Sequence, residues 1–309
     1  MKQAMLTVLV LFVPALTAQS IDFATAAHGR ELLTKRDDFV MRMSPFDRAA
    51  RMKTDQDVTE GAYLRFVAAN VREWAPDEKA AVEGVWAELK PKLDEMRLPF
   101  PKTILFVKTT GTEEGDAEYT RGAGIVLPES ALAAEKRAGL RGIVAHELFH
   151  VLSRNAPEVR DRLYAVIGFR PCTEIVFPEA LAARKITNPD APKNDHCIQV
   201  RNGAETVWAV PILYAKTDRY DMAKGGLFFE YLKFSFLVVD GLSGKYDAAH
   251  PVLLDVNQLQ GFYEQVGRNT EYIIHPEEIL ADNFRFLLLG QSDVKSPEVL
   301  AGLAKALDQ

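Results

Sequence analysis

The chemically richest stretch of the chain is Gly142-Ile-Val-Ala-His146-Glu147-Leu-Phe-His150-Val-Leu152. Residues four apart lie on one face of an α-helix, about 6 Å along its axis, so His146 and His150 can grip one metal ion. This His-Glu-x-x-His spacing suits tetrahedral Zn2+ with the two imidazoles as ligands. Glu147 follows His146 directly and can reach a zinc-activated water without ligating the metal. As general base it would take a proton from that water and later hand it to a leaving amine. The apolar residues around the motif (Ile143, Val144, Leu148, Phe149, Val151, Leu152) would bury the helix and keep the site rigid and dry.

A catalytic zinc needs a third protein ligand and an open coordination position. Residues Ser153 to Pro157 supply no further histidine, so the ligand must be remote. The best candidate segment is His275-Pro276-Glu277-Glu278-Ile-Leu-Ala281-Asp282-Asn-Phe284-Arg-Phe286. Pro276 suits the first turn of a helix, and Glu278 and Asp282, one turn apart, share a face. Unpaired carboxylates inside so apolar a helix would be costly. Glu278 is therefore expected to bind zinc, and Asp282 to accept the N–H of a ligating imidazole and orient it. Glu277 and His275 remain the alternatives for the third ligand.

These residues have to be positioned by a mixed set of elements. Apolar periodicity predicts helices over 59–73 and 77–96, with Pro99 and Pro101 ending that region. Buried strands are expected at 103–108 and 122–127, separated by a polar loop, and two helices follow at about 129–137 and 139–153. Residues 197–240 read as β-rich with a turn at Asn202-Gly203, and helices return at about 257–266, 276–289 and 296–307. The fold class is α+β, without internal repeats or an evident linker. The expectation is one catalytic domain over 19–309. It would comprise a helical N-terminal part to residue 100, strands and motif helix over 101–155, and a β-rich insertion plus third-ligand helix over 156–309.

Composition excludes several classes. The chain has 309 residues, 37 Lys plus Arg against 43 Asp plus Glu, and a formal charge of -6. That balance gives no electrostatic case for nucleic acid or an anionic membrane as the main partner, and no segment after residue 18 is long and apolar enough to span a bilayer. Residues 1–18 have the layout of a signal peptide: one lysine, an apolar run from Ala4 to Leu16, then small residues. Export to a periplasmic or extracellular space is expected, an uncleaved anchor being the alternative. In an oxidising compartment Cys172 and Cys197 are free to pair as a disulfide, two independent thiols being the other reading. The polar segment 187–197 reads as a surface loop, with a role at the cleft rim or in calcium binding as the alternatives.

His146-Glu147-x-x-His150 followed by a distant Glu278-x-x-Ala281-Asp282 resembles the gluzincin branch of zinc metallopeptidases, the class containing thermolysin. Glu278-Ile-Leu-Ala-Asp-Asn-Phe-Arg is similar to the Glu-x-Phe-Ala-Glu-Ala-Phe-Arg of anthrax lethal factor-like catalytic domains. The resemblance covers the two motif helices and extends at most to the strand at 122–127. It implies a zincin-like fold in which that strand is the edge pairing with an extended substrate above the zinc. Such enzymes use a Tyr or His to stabilise the oxyanion. Lethal factor-like domains place a Tyr seven residues before the ligand Glu; that position is Glu271 here, and Tyr272 beside it is the candidate, with His196, His250 and Tyr220 left open. The chain departs in spacing, since about 130 residues separate His150 from Glu278. The functional expectation is a secreted zinc-dependent endopeptidase acting on peptide or protein substrates. The alternative is a secreted zinc-containing binding or scaffold protein that cleaves nothing.

Overall fold

A computed structural model of the chain describes residues 19–308, so the expected signal peptide at 1–18 lies outside the described residues. The N-terminal half runs β1 (Ser20–Phe23), α1 (Ala26–Leu33), α2 (Asp38–Arg42), α3 (Pro45–Arg51), α4 (Glu60–Asn70), β2 (Val71–Arg72) and α5 (Pro76–Met96). It continues through β3 (Thr103–Thr109), β4 (Tyr119–Arg121), β5 (Gly124–Pro128), α6 (Glu129–Leu132) and α7 (Arg137–Asn155). Then come α8 (Pro157–Val166), β6 (Phe169–Pro171), α9 (Glu179–Ala182), β7 (His196–Asn202), β8 (Glu205–Ala215), β9 (Leu232–Val239) and β10 (Leu253–Leu254). Three helices close the chain: α10 (Tyr263–Val266), α11 (Pro276–Leu288) and α12 (Pro297–Leu307). The class is mixed α+β.

The first sheet has the order β1-β3-β5-β4, with β2 pairing against the far end of β3. Strand β3 is buried along most of its length because Ile104, Phe106 and Val107 fill both faces of a parallel pairing with β1 and β5. The strand read at 122–127 is not an edge: β5 lies between β3 and β4, and the edge strand is β4. Its Tyr-Thr-Arg sequence lacks the apolar pattern of a buried strand, yet all three residues are buried. Each is partnered: the Tyr119 hydroxyl donates to Glu113 at 3.2 Å, Thr120 to Glu147 at 2.8 Å, and Arg121 to Asp37 at 2.7 Å. Gly122, at φ 62°, opens the two-residue turn that returns the chain into β5.

The second sheet is antiparallel throughout, in the order β10-β9-β8-β7-β6. Helices α7 and α11 share one apolar core with both sheets, since Leu148, Phe149, Ile279 and Phe284 cluster with Phe106 and Ile125 of the first and Ile198 and Phe236 of the second. Three helices are shorter than their periodicity suggests: that at 59–73 ends at Asn70, where the chain enters β2, that at 129–137 stops as α6, and that at 257–266 is broken at Gly261 (φ 82°), leaving a 3-10 turn and α10.

The cysteine bridge is also corrected: Cys172 and Cys197 are free thiols. Arg170 stands opposite Cys197, and the Cys172 N–H reaches the Asp195 carbonyl at 2.8 Å, so the two cysteines are diagonal rather than facing. The two thiols nevertheless lie close enough to interact: the hydrogen bond with Cys197, together with burial, holds the Cys172 thiol far above its usual range.

A buried ion cluster ties the N-terminal helices to the segment leading towards α11. Arg51 on α3 is fully buried; it pairs with Asp47, donates to Glu114 at 2.5 and 2.9 Å, and donates to the Thr187 carbonyl at 3.0 Å. Asp47 in turn accepts from the Thr187 N–H at 2.9 Å. Removing one member strands the others without solvent, so Arg51→Ala should cost about 3–5 kcal/mol of unfolding free energy in urea. A loss below about 1 kcal/mol would show that the cluster behaves as a surface pair.

Candidate metal centre

Helices α7 and α11 bring their polar faces together inside the apolar core. On α11, His275 is the N-cap, its Nδ1 accepting the Glu277 N–H at 3.1 Å, and Pro276 occupies the first turn. Burial depresses the His275 imidazole to about 4 and keeps the cap neutral; the ring is not among the side chains that converge on the motif histidines. Glu278 then projects between the two motif histidines: its Oε2 lies 3.2 Å from His146 Nε2 and 3.6 Å from His150 Nε2. One ligand-type atom each of His146, His150 and Glu278 falls within 4.8 Å of the others. A tetrahedral ion with bonds of about 2.0–2.1 Å would set its ligands about 3.3 Å apart, so this spacing fits one metal. His150 Nε2 is buried and has no hydrogen-bond partner, a state that a coordinating nitrogen explains.

Both imidazoles are oriented by carboxylates on their other nitrogen. His146 Nδ1 is 3.1 Å from Asp282, which also accepts from Thr270 at 2.5 Å and pairs with Arg285 at 3.2 Å. His150 Nδ1 is 2.8 Å from Glu277, and Glu277 accepts further bonds from Ser153 and Tyr164. Such partners fix tautomer and ring orientation and turn both Nε2 atoms towards Glu278, where they could take a metal. Burial alone would raise the Glu278 carboxyl, but His150 and His146 outweigh it and hold it near 2. Burial likewise opposes charge on His146, and hydrogen bonds to Asp282 and Glu278 reverse that effect.

Glu147 is buried beside this set, and the Thr120 hydroxyl on β4 donates to its Oε2 at 2.8 Å. Burial pushes its carboxyl up to about 7, against the pull of His146. The Tyr272 ring lies nearly parallel to His146, centroids 6.5 Å apart at 23°, and Tyr272 keeps 41% exposure. It is therefore at the mouth of the site. The other open candidates are elsewhere: His196 is buried against Asp195 and Asp161, His250 is on the surface with Asp247, and Tyr220 packs against Tyr231.

Segment 187–197 departs most from its sequence reading as a surface loop. No residue from Arg184 to Ile198 is exposed. The Asn188 side chain donates to Glu278 Oε1 at 2.5 Å, and Asp190 carries an oxygen within 4.8 Å of ligand-type atoms of Glu147 and His150. Polar turn composition signals the local Asx turn, in which the Asp190 N–H reaches Asn188 Oδ1 at 2.9 Å. It carries no information on where that turn docks. Glu277 had a usable signal, because neighbouring residues on a helix diverge by about 100° and can serve different imidazoles.

No family model, curated protein or solved structure matches the chain. Replacing Glu277 by Gln should weaken zinc binding by roughly 10–100-fold while leaving a folded protein, as read by competition with a chromophoric chelator. Glu278→Ala should abolish stoichiometric zinc; retained metal would move the third ligand elsewhere.

Proposed function

We propose that the chain is a zinc-dependent endopeptidase of gluzincin type with a zincin-like fold, His146, His150 and Glu278 holding the metal. The observation that carries this reading is the meeting of two oriented imidazoles and one carboxylate oxygen at 3.2–3.6 Å, with a buried, unpartnered His150 Nε2 at the focus. Charge supports it: Glu147, Asp190, Glu277, Glu278 and Asp282 crowd two histidines, and a divalent cation would supply the missing positive charge. A donor set of two imidazole nitrogens and one carboxylate oxygen favours zinc.

When bound, zinc would supply Lewis acidity towards a substrate carbonyl and towards water. The rest falls to the chain. Glu147 takes a proton from the attacking water and returns it to the departing amine, and the Thr120 hydroxyl holds that carboxylate in place. Its environment, near neutral pKa and dry, suits a group that must both accept and release a proton. Tyr272, at the mouth beside His146, donates its hydroxyl to the developing oxyanion. Edge strand β4 offers backbone groups to an extended peptide. A zinc-holding protein that cleaves nothing would need His146, His150 and Glu278 but gives no role to a buried Glu147 fixed by Thr120.

The same reading places the protein outside the cytoplasm, on the strength of the leader-like residues 1–18. No helix among the described residues is long and apolar enough to cross a membrane.

Glu147→Gln should retain stoichiometric zinc and lose about 10²–10⁴-fold in peptide cleavage, measured on an unfolded protein substrate. Cleavage at the wild-type rate, or insensitivity of the wild type to chelation, would exclude this mechanism. Tyr272→Phe should lower kcat by about 10²-fold with little change in KM.

A further inference from the structure

The groove beside β4 is already filled by the chain itself. The outward N–H of Thr120 donates to Asp190 Oδ1 at 2.6 Å, and the Thr120 carbonyl accepts from Arg154 at 2.8 Å. These are the backbone groups an extended substrate would need. Arg154 also donates to the carbonyls of Pro189 and Asp190, at 2.8 and 3.1 Å, and so clamps the segment to the strand. Asn188 holds Glu278, and the Asp190 carboxylate reaches the neighbourhood of His150 and Glu147. The outer anchors are Thr187, bound to Arg51 and Asp47, and Lys193, 3.1 Å from Asp38.

Cavities lie on both sides. One of about 290 Å³ is lined by Pro189 to Lys193 together with Gly122, Arg154 and Tyr164. A smaller one, about 40 Å³, is lined by Ile186 to Asp190 together with Glu118, Phe229 and Tyr272. Residues Pro189 and Asp190 form the partition between them. Lifting that partition would join the two spaces along β4, from Glu118 at one end to Gly122 at the other.

We propose that Thr187–Lys193 is a built-in strap occupying the substrate groove, with Asp190 docked where a peptide would approach the metal, so that the protein in this conformation is latent. The proposal rests on the peptidase reading of the site and adds its regulation. A peptide gains access only when the strap leaves β4, and apparent affinity for anything that uses the metal's free position is the intrinsic affinity multiplied by the open fraction. Asp190 is the contact that competes directly; Asn188 and Arg154 hold the strap in register.

The test uses the full-length, zinc-loaded protein, its Asp190→Ala and Asp190→Asn variants, and acetohydroxamic acid as a probe that needs the metal but no substrate groove. Both variants should bind the probe about ten-fold more tightly than wild type, with faster hydrogen exchange at Thr120 and along 187–193. Equal probe affinity and equal exchange in all three proteins would overturn the strap. Loss of zinc from either variant, or weaker probe binding, would also overturn it by making Asp190 a required part of the metal centre. Tighter probe binding in variants that cleave no peptide would support the strap while removing the peptidase reading. Equal cleavage by wild type and variants with unchanged probe affinity would do the reverse.

Discussion

The structure depends on a carboxylate–imidazole seam between α7 and α11. His146 meets Glu278 and Asp282, His150 meets Glu277, and this polar seam runs through an interface otherwise packed with Leu148, Phe149, Ile279 and Phe284. Charged groups in such surroundings persist only when each has a partner. That requirement sets the rotation of both helices about their axes. A turn of either by one residue, about 100°, would bury carboxylates against Phe and Leu and break every contact. The remaining elements keep this pairing in place: both sheets press on the helix pair, and Thr120, Ser153, Tyr164 and Thr270 complete the hydrogen bonding at its margins.

Much of that seam was legible in the residues. Spacing of four put His146 and His150 on one face, and the apolar setting of Glu278 and Asp282 marked them as carboxylates with partners to find. Pro276 and the Leu and Phe content located α11 to within a residue or so of its observed bounds. The hairpin of β7 and β8 followed from alternation around Asn202-Gly203. These features are local, and local chemistry carries them.

What was not legible depends on contacts between distant residues. β4 hides in the sequence because its buried side chains are polar and satisfied by Glu113, Glu147 and Asp37, which no periodicity reveals. β1, four residues with alternating partial exposure, becomes a strand only because β3 offers a parallel edge. The cysteine pair looked suited to a bridge by number and compartment, and the two thiols stand free on neighbouring strands in diagonal register. The docking of 187–193 is the largest gap between the readings: turn-forming residues normally mark surface, and here they are drawn inward by Arg51, Arg154 and Thr120.

The most direct measurement of the central claim is anomalous diffraction at the zinc edge from crystals of the zinc-loaded protein. One strong peak is expected, bonded to His146 Nε2, His150 Nε2 and a Glu278 oxygen at about 2.0–2.2 Å, with Glu277 and Asp282 hydrogen-bonded to the imidazoles behind them. A zinc peak away from the α7–α11 seam, or none at this place in protein that holds stoichiometric zinc, would contradict it.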